Sequence, residues 1–121
     1  MMNKETPKSL DREELMNRVE HDQELAREIL AIFQSDSNTN REVLRVAVTS
    51  RDAEEVRNLA HAFKGMLANL AANPASTAAA HLETLAKEGK SDEFAAAWEV
   101  FDKELTSVLL EVEQLLAGTP Q

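Results

Sequence analysis

The chain has 121 residues, 43% of them hydrophobic, with no cysteine and a formal net charge of −9 at pH 7. This length and composition predict one domain with a sizeable core, and the missing cysteine excludes disulfides, thiolate metal sites and a cysteine nucleophile, as is typical of a cytoplasmic protein. The acidic net charge disfavours a nucleic-acid partner. The first residues contain no apolar run as long as that of a signal peptide, and no later segment has the roughly 18 uninterrupted apolar residues that a membrane span requires.

The N-terminal end is polar and is followed by a short helix. We expect residues 1–9 to be a disordered lead-in or a linker, and residues 10–118 to form the folded domain. Asp11 can cap a helix, and Glu14, three residues later, can reach back to it. This capping pair predicts a first helix that runs to about Glu20.

The second helical region starts at the capping residue Asp22 and contains a weak middle. The polar stretch at residues 35–40 is poor helix material, because short polar side chains compete for backbone hydrogen bonds. The pattern fits either one long helix or two helices separated by a kink. Apolar residues at helical spacing predict the buried stripe on both sides of this stretch: Leu25, Ile29, Ile32, Phe33, Val43, Leu44, Ala47 and Val48.

Three further helices follow, each with its own start and stop signals. Asp52 and Glu55 form a capping pair for the third helix, and Asn73-Pro74 ends it and begins the fourth. Gly89 stops the fourth helix, and Ser91 is the predicted cap of the fifth, which Gly118 and Pro120 end. The fourth helix has a face of small residues, and the fifth has the longest apolar stripe: Phe94, Trp98, Phe101, Leu105, Val108, Val112 and Leu115.

The predicted fold class is all-α. No segment alternates with period two, and short turns between helices favour antiparallel neighbours. We therefore expect an up-and-down antiparallel four-helix bundle with one or two additional N-terminal helices.

The third helix carries the candidate functional site, because its outward face is unusual. At about 100° per residue, His61 lies about 140° from the centre of the apolar stripe, Lys64 about 80° and Arg57 about 100°. Gly65 falls on the far side of the helix. The apolar stripe itself consists of Val56, Leu59, Ala60, Phe63, Leu67 and Leu70.

Each residue of this outward face has a chemical use. A neutral imidazole in solvent is a nucleophile near pH 7 and can carry a transferable group on nitrogen. Lys64, at i+3 from His61, can place its ammonium beside an anionic group there, and Arg57, at i−4, can do so from the other side. Gly65 costs about 1 kcal/mol in a helix interior relative to alanine, and close approach of another molecule would account for it.

The residues around His61 resemble a known motif. The run His61-Ala62-Phe63-Lys64-Gly65, followed by Ala68-Asn69-Leu70-Ala71-Ala72, is similar to the phosphorylation-site motif of histidine-containing phosphotransfer domains. The similarity extends over most of the chain, to versions found at the C-terminus of hybrid sensor kinases. Two positions depart from the pattern: Met66 is bulky where a small residue is common, and Ala71 replaces the usual glycine.

The resemblance implies a phosphorelay intermediate. His61 would accept a phosphoryl group on Nε2 from a receiver-domain aspartate and pass it to another receiver, and Lys64 would partner the phosphoryl oxygens. The chain would be a phosphocarrier without kinase activity and without a cofactor of its own, because the catalytic acids and Mg²⁺ belong to the receiver. We expect a monomer whose partners are receiver domains of response regulators or of a hybrid histidine kinase.

Other interpretations remain open from the residues alone. A helical docking module could bind receivers without carrying phosphate, and the motif departures at Met66 and Ala71 motivate that alternative. A purely structural bundle leaves Gly65 and the outward His61 unexplained. His21 and His81 are expected to be exposed bystanders, and no histidine has a glutamate three residues before it, so we predict no bundle-type metal site.

Overall fold

The computed structural model describes residues 9–117, which form five α-helices and one 3₁₀ turn and contain no strand. The predicted all-α class is confirmed. Most of the expected lead-in, together with Gly118 and Pro120, lies outside the described residues. None of the described helices is long and apolar enough to cross a membrane. The helices are α1 (Arg12–Arg18), α2 (Gln23–Thr49), α3 (Ala53–Asn69), α4 (Asn73–Lys87) and α5 (Phe94–Ala117).

Helix α1 is a short segment attached to the end of the bundle. Asp11 caps it as predicted, since its Oδ1 accepts a hydrogen bond from the amide of Glu14 at 3.1 Å. The helix ends two residues before the predicted Glu20, because Glu20 and His21 adopt φ values of 55° and 63°, which no α-helix contains. The amide of Asp11 donates to the carbonyl of Ala71 at 3.0 Å, and this bond ties α1 to the end of α3.

Helix α2 runs unbroken through the polar stretch at residues 35–40, which decides between the one-helix and two-helix alternatives. Its two halves are each held by α5. Arg41 Nε lies 2.7 Å from Asp102 Oδ1, and Arg27 donates to the carbonyl of Leu116 at 2.8 Å. Helical stability in proteins comes mainly from such tertiary packing, which here overrides the weak local propensity.

The predicted buried stripe of α2 is wrong at three positions, because Leu25, Ile32 and Val43 are 40%, 61% and 41% exposed. In each case the following residue is buried instead. Phe33, Leu44, Ala47 and Val48 of the predicted stripe are buried, so the prediction is too wide at Ile32 and Val43 and one residue early at Leu25. The core side is set by the residues that pack inward: Ala26, Leu30, Phe33, Leu44, Ala47 and Val48.

The four long helices pack in a ring in which α2 contacts α3 and α5, and α4 contacts α3 and α5. Pairings across the α2–α5 and α3–α4 interfaces run in opposite chain directions: Arg27 with Leu116, Arg41 with Asp102, His61 with Glu83 and Lys64 with Ser76. These two pairs are therefore antiparallel. At the centre, the rings of Phe63 and Phe101 meet edge to face with centroids 5.0 Å apart.

The later boundaries agree with the sequence except at the end of α3 and the start of α5. Asp52 caps α3 as predicted, but α3 ends at Asn69, four residues before the predicted Asn73, because Ala71 has a φ of 62°. Helix α4 begins at Asn73 as predicted, and Gly89, with φ of 70°, follows its end. Ser91 does not cap α5 as predicted; it begins the 3₁₀ turn Ser91–Glu93, which has no side-chain cap, and α5 starts at Phe94. On α5, Trp98 and Leu115 are only partly buried.

Ala71 gives a test of backbone strain at the α3–α4 connection. Its φ of 62° is a conformation that costs an L-residue about 1–2 kcal/mol. Ala71→Gly removes this strain but also removes a buried methyl group and adds unfolded-state entropy, so we expect a near-zero change in the free energy of unfolding. Ala72→Gly, at an equally buried residue with φ of −95°, is expected to cost about 1–2 kcal/mol. Urea denaturation of both variants measures their free energies of unfolding. An equal loss of stability in the two variants would contradict backbone strain at Ala71.

Candidate functional site

His61 lies in the middle of α3 with its side chain 67% exposed. The opposite face of the helix buries Val56, Phe63 and Leu67, so packing of the core fixes the rotation that turns the imidazole outward. The predicted exposure of His61 is confirmed.

The main partner of His61 is Glu83 of α4, whose side chain is only 6% exposed. Glu83 Oε2 lies 2.8 Å from His61 Nδ1, and Glu83 Oε1 lies 2.8 Å from Lys64 Nζ. Lys87, one turn further along α4, places its Nζ 3.4 Å from Oε2. A single buried carboxylate therefore connects the histidine with two lysines.

Glu83 is ionised at neutral pH. The hydrogen bond from Lys64 is the largest cause that lowers the pKa of Glu83, to about 2, against the opposing effect of desolvation by burial. The hydrogen bond from His61 and the charges of the two lysines lower the pKa further. An ionised carboxylate can only accept hydrogen bonds, so the proton of the His61–Glu83 bond belongs to Nδ1. The neutral ring then carries its free lone pair on Nε2.

The cations predicted beside His61 have different positions. Lys64 is held by Glu83, and its own carbonyl accepts a hydrogen bond from Ser76 Oγ at 3.0 Å, which ties this turn of α3 to α4. Arg57 is exposed and does not belong to the cluster of His61, Lys64, Glu83 and Lys87.

Gly65 lies on the exposed face of α3, one turn after His61. A Cβ added at Gly65 would meet no other heavy atom within 4 Å. Packing within the described residues therefore gives no reason for a glycine at this position. Its exposed neighbour Ala62 is also small, so the surface beside the imidazole offers little steric obstruction.

The two departures from the motif lie away from the exposed imidazole of His61. Met66 is partly buried and packs against the core. Its helical phase places it on the flank of α3 opposite His61. Ala71 is buried in the connection after α3 with positive φ, where the family pattern has a glycine.

The other two histidines are exposed as expected. His21 lies in the connection between α1 and α2, and His81 lies on the outer side of α4. Within residues 9–117 no group of three or more histidine, aspartate or glutamate side chains is arranged to hold a metal ion.

Glu83 and Lys87 are the cluster residues that the sequence analysis missed, and Glu83 is the one that contacts His61. It lies within the small-residue face of α4, directly after Leu82 and four residues after the fully buried Ala79. An acidic residue on an otherwise apolar helix face is rarely buried without a partner. That misplaced charge was the available signal, but its partner on α3 could be identified only from the packing of the two helices.

Comparison with known proteins agrees with this fold. The family model of the Hpt domain matches residues 28–118, so the chain belongs to the Hpt family of histidine-containing phosphotransfer domains. Proteins of this family are phosphotransfer intermediates in phosphorelays, where they interact with receiver domains of two-component systems.

A particular structure extends the similarity beyond the matched residues. The chain is similar to the crystal structure of histidine-containing phosphotransfer protein B (HptB) from Pseudomonas aeruginosa PAO1, with 25% sequence identity and a TM-score of 0.85. The alignment covers 95% of this chain and 100% of HptB. No match is found among curated proteins.

Proposed function

We propose that His61 accepts a phosphoryl group on Nε2 from the phosphoaspartate of one receiver domain and passes it to the aspartate of another. The observation that carries this proposal is the 2.8 Å contact between His61 Nδ1 and Glu83 Oε2. Because the ionised Glu83 holds the proton on Nδ1, the nitrogen left with a free lone pair is Nε2, on an exposed ring.

The transfer needs no proton to leave the imidazole. The Nε2 lone pair forms the N–P bond, while the bond between phosphorus and the aspartate oxygen breaks and its electrons leave with the carboxylate. The ring gains a positive charge, which the Glu83 carboxylate at Nδ1 stabilises. Onward transfer reverses these changes, with a second carboxylate as the nucleophile.

The neighbouring residues support the phosphoryl group. Lys64 is held beside the imidazole through Glu83 and supplies an ammonium to the phosphoryl oxygens. Lys87 adds a second cation from α4. Arg57 is exposed outside this cluster, so we assign it a weaker, auxiliary contribution from the other side of His61.

The partner domain supplies the remaining chemistry. The acidic groups and the Mg²⁺ that act on the aspartyl phosphate are those of the receiver, and this chain acts as a carrier without kinase activity and without its own cofactor. The proposed working form is a cytoplasmic monomer that binds receiver domains rather than nucleic acid or membrane.

A transfer assay tests the proposal and separates it from the docking-module alternative. A receiver domain carrying ³²P on its aspartate is mixed with the full chain, and label is followed on both proteins. We expect label on this chain that is lost in acid and retained in base, as for a phosphoramidate. Receiver binding without any transfer would instead favour a docking module. Met66 and Ala71 supply little support for that alternative, because neither lies at the exposed imidazole.

Gly65→Ala is expected to stabilise the fold and to slow phosphoryl transfer. The added methyl group meets no neighbour within the described residues, so the higher helix propensity of alanine should raise the free energy of unfolding by about 1 kcal/mol. The same methyl group obstructs a docked receiver, so we expect transfer to His61 to slow by about tenfold, which corresponds to about 1.4 kcal/mol.

Gly89→Ala is the matched control for this prediction. Gly89 has φ of 70°, so alanine there should destabilise the protein by about 1 kcal/mol or more. Its transfer rate per folded molecule should stay unchanged. Thermal denaturation measures the stability of each variant, and the rate of ³²P transfer measures its activity. A wild-type transfer rate in Gly65→Ala would contradict the prediction that Gly65 gives the receiver room to dock.

A further inference from the structure

Arg18 of α1 lies beside the exposed face of α3 that carries His61. Its Nη1 donates a hydrogen bond to the carbonyl of Ala68, and its side chain is 42% exposed. Ala68 follows His61 by seven residues, which is two helical turns to within about 20° and about 10 Å along the helix axis. The guanidinium therefore lies on the same side of α3 as the imidazole, two turns closer to the C-terminal end of the helix.

Helix α1 is fixed against α3, and Arg18 keeps N–H donors available for a partner. The amide of Asp11 donates to the carbonyl of Ala71 at 3.0 Å, and Arg18 Nε donates to Glu14 Oε2 at 3.1 Å. A guanidinium has five N–H donors, and the contacts to Glu14 and Ala68 use two of them. The pair with Glu14 is exposed, and such pairs contribute little to stability, so Arg18 can bind a further carboxylate.

The surface of α3 between His61 and Arg18 is open to a docked domain. Gly65 lies one turn after His61 and Ala68 two turns after it, so no bulky side chain of this strip separates the imidazole from Arg18. A protein–protein interface of standard size covers about 800 Å² of each partner, which corresponds to a disc of about 16 Å radius. A receiver centred on His61 therefore also covers Arg18.

Cations flank His61 along α3, although the chain as a whole has a formal net charge of −9. Arg57 lies one turn before His61, and Arg18 lies two turns after it. Lys64 and Lys87 lie beside the imidazole. In the proposed relay the receiver presents its phosphoaspartate among acidic groups, and a carboxylate is the group that an arginine fork binds best. We propose that Arg18 binds a carboxylate of the receiver at the rim of its phosphoaspartate pocket and so contributes to the choice of receiver.

This role of Arg18 rests on the proposed function of His61 and is tested with Arg18→Gln. The full chain is mixed with increasing concentrations of a receiver domain that carries ³²P on its aspartate, and the initial rates of transfer give KM and kcat. Glutamine removes the charge, so we expect KM to rise about fivefold at about 0.1 M salt. Arg18 does not touch the reacting atoms, so kcat should stay within about twofold of wild type. At about 1 M salt, where charges are screened beyond about 3 Å, the two KM values should agree within about twofold.

Arg45→Gln is the matched control. Arg45 is an exposed arginine on α2 that pairs with Glu42 one turn earlier, so its substitution removes the same charge and the same kind of ion pair. Arg45 follows Arg27 by 18 residues, which is five full turns, and so lies on the side of α2 from which Arg27 contacts α5. This side is turned away from His61, and the KM of Arg45→Gln should match that of wild type at both salt concentrations.

An unchanged KM in Arg18→Gln, or an equal rise in Arg45→Gln, would overturn the binding role of Arg18 while leaving His61 as the carrier. A rise in KM that is the same at both salt concentrations would show that Arg18 acts only by holding α1 in place, and would overturn it as well. Failure of wild type to acquire label from any receiver would instead overturn the proposed function together with the role of Arg18. Circular dichroism confirms that folded proteins are compared.

Discussion

His61→Gln is expected to abolish phosphoryl transfer from a receiver to this chain. Glutamine fills a similar volume and can hydrogen-bond to neighbours, but its amide nitrogen has no lone pair available for attack on phosphorus. His61 is exposed on a helix whose opposite face builds the core, so the substitution should change the free energy of unfolding little. The measurement is the amount of ³²P on the chain after incubation with a phosphorylated receiver. We expect the label on the variant to be less than about one hundredth of the wild-type level.

His81→Gln is the matched control for this experiment. His81 is an exposed histidine on the neighbouring helix, and it contacts neither Glu83 nor Lys64. Its transfer should match that of wild type. If label persists on His61→Gln and disappears from His81→Gln, the phosphorylated residue is His81 on α4, and the proposed role of His61 is contradicted.

The second large effect concerns stability at acidic pH. The pKa of Glu83 is lowered in the folded state from 4.5 to about 2, so the ionised form stabilises the fold. At about 1.4 kcal/mol for each pKa unit, this shift corresponds to about 3 kcal/mol. Because the folded-state value is the lower one, the contribution is complete above about pH 5 and is lost as pH falls through 4.5 towards 2.

Comparison of wild type with Glu83→Gln isolates this contribution. Glutamine does not titrate, and the other carboxylates are common to both proteins. We therefore expect the wild-type free energy of unfolding, measured in urea, to fall relative to that of the variant by up to about 3 kcal/mol between pH 6 and pH 2. A difference that does not change with pH would show that Glu83 is ionised equally easily in the folded and unfolded states. Glu88→Gln, at an exposed carboxylate, should remain parallel to wild type.

Both predictions concern a site of which the sequence identified only one half. His61, Lys64 and Gly65 share α3, so helical periodicity alone could place His61 and Gly65 on the outward face and Lys64 at its edge. The contact to Nδ1 of His61 comes from α4, and Glu83 is 22 positions away in the chain. No periodicity relates two helices to each other, because the relation depends on the distance and rotation at which they pack.

The fold shows the same division between local and tertiary information. Capping side chains at Asp11, Asp22 and Asp52 marked three helix starts correctly, since a cap bonds to amides two or three residues away. The continuity of α2 could not be predicted, because the segments on either side of its polar middle are held by contacts with α5. The width of the buried stripe on α2 was also mispredicted, since Ile32 and Phe33 are both apolar and only packing shows that Phe33 alone is buried.

The sequence by itself determined the helical class, most helix starts and an outward histidine with a lysine one turn later, because each of these depends on residues within about one turn of helix. Only the tertiary structure decided which groups this histidine contacts. Burial of Glu83 between α3 and α4 brings a carboxylate to Nδ1 and gathers Lys64 and Lys87 around it. A buried charge is stable only when it is paired, and those partners meet only after the helices have packed.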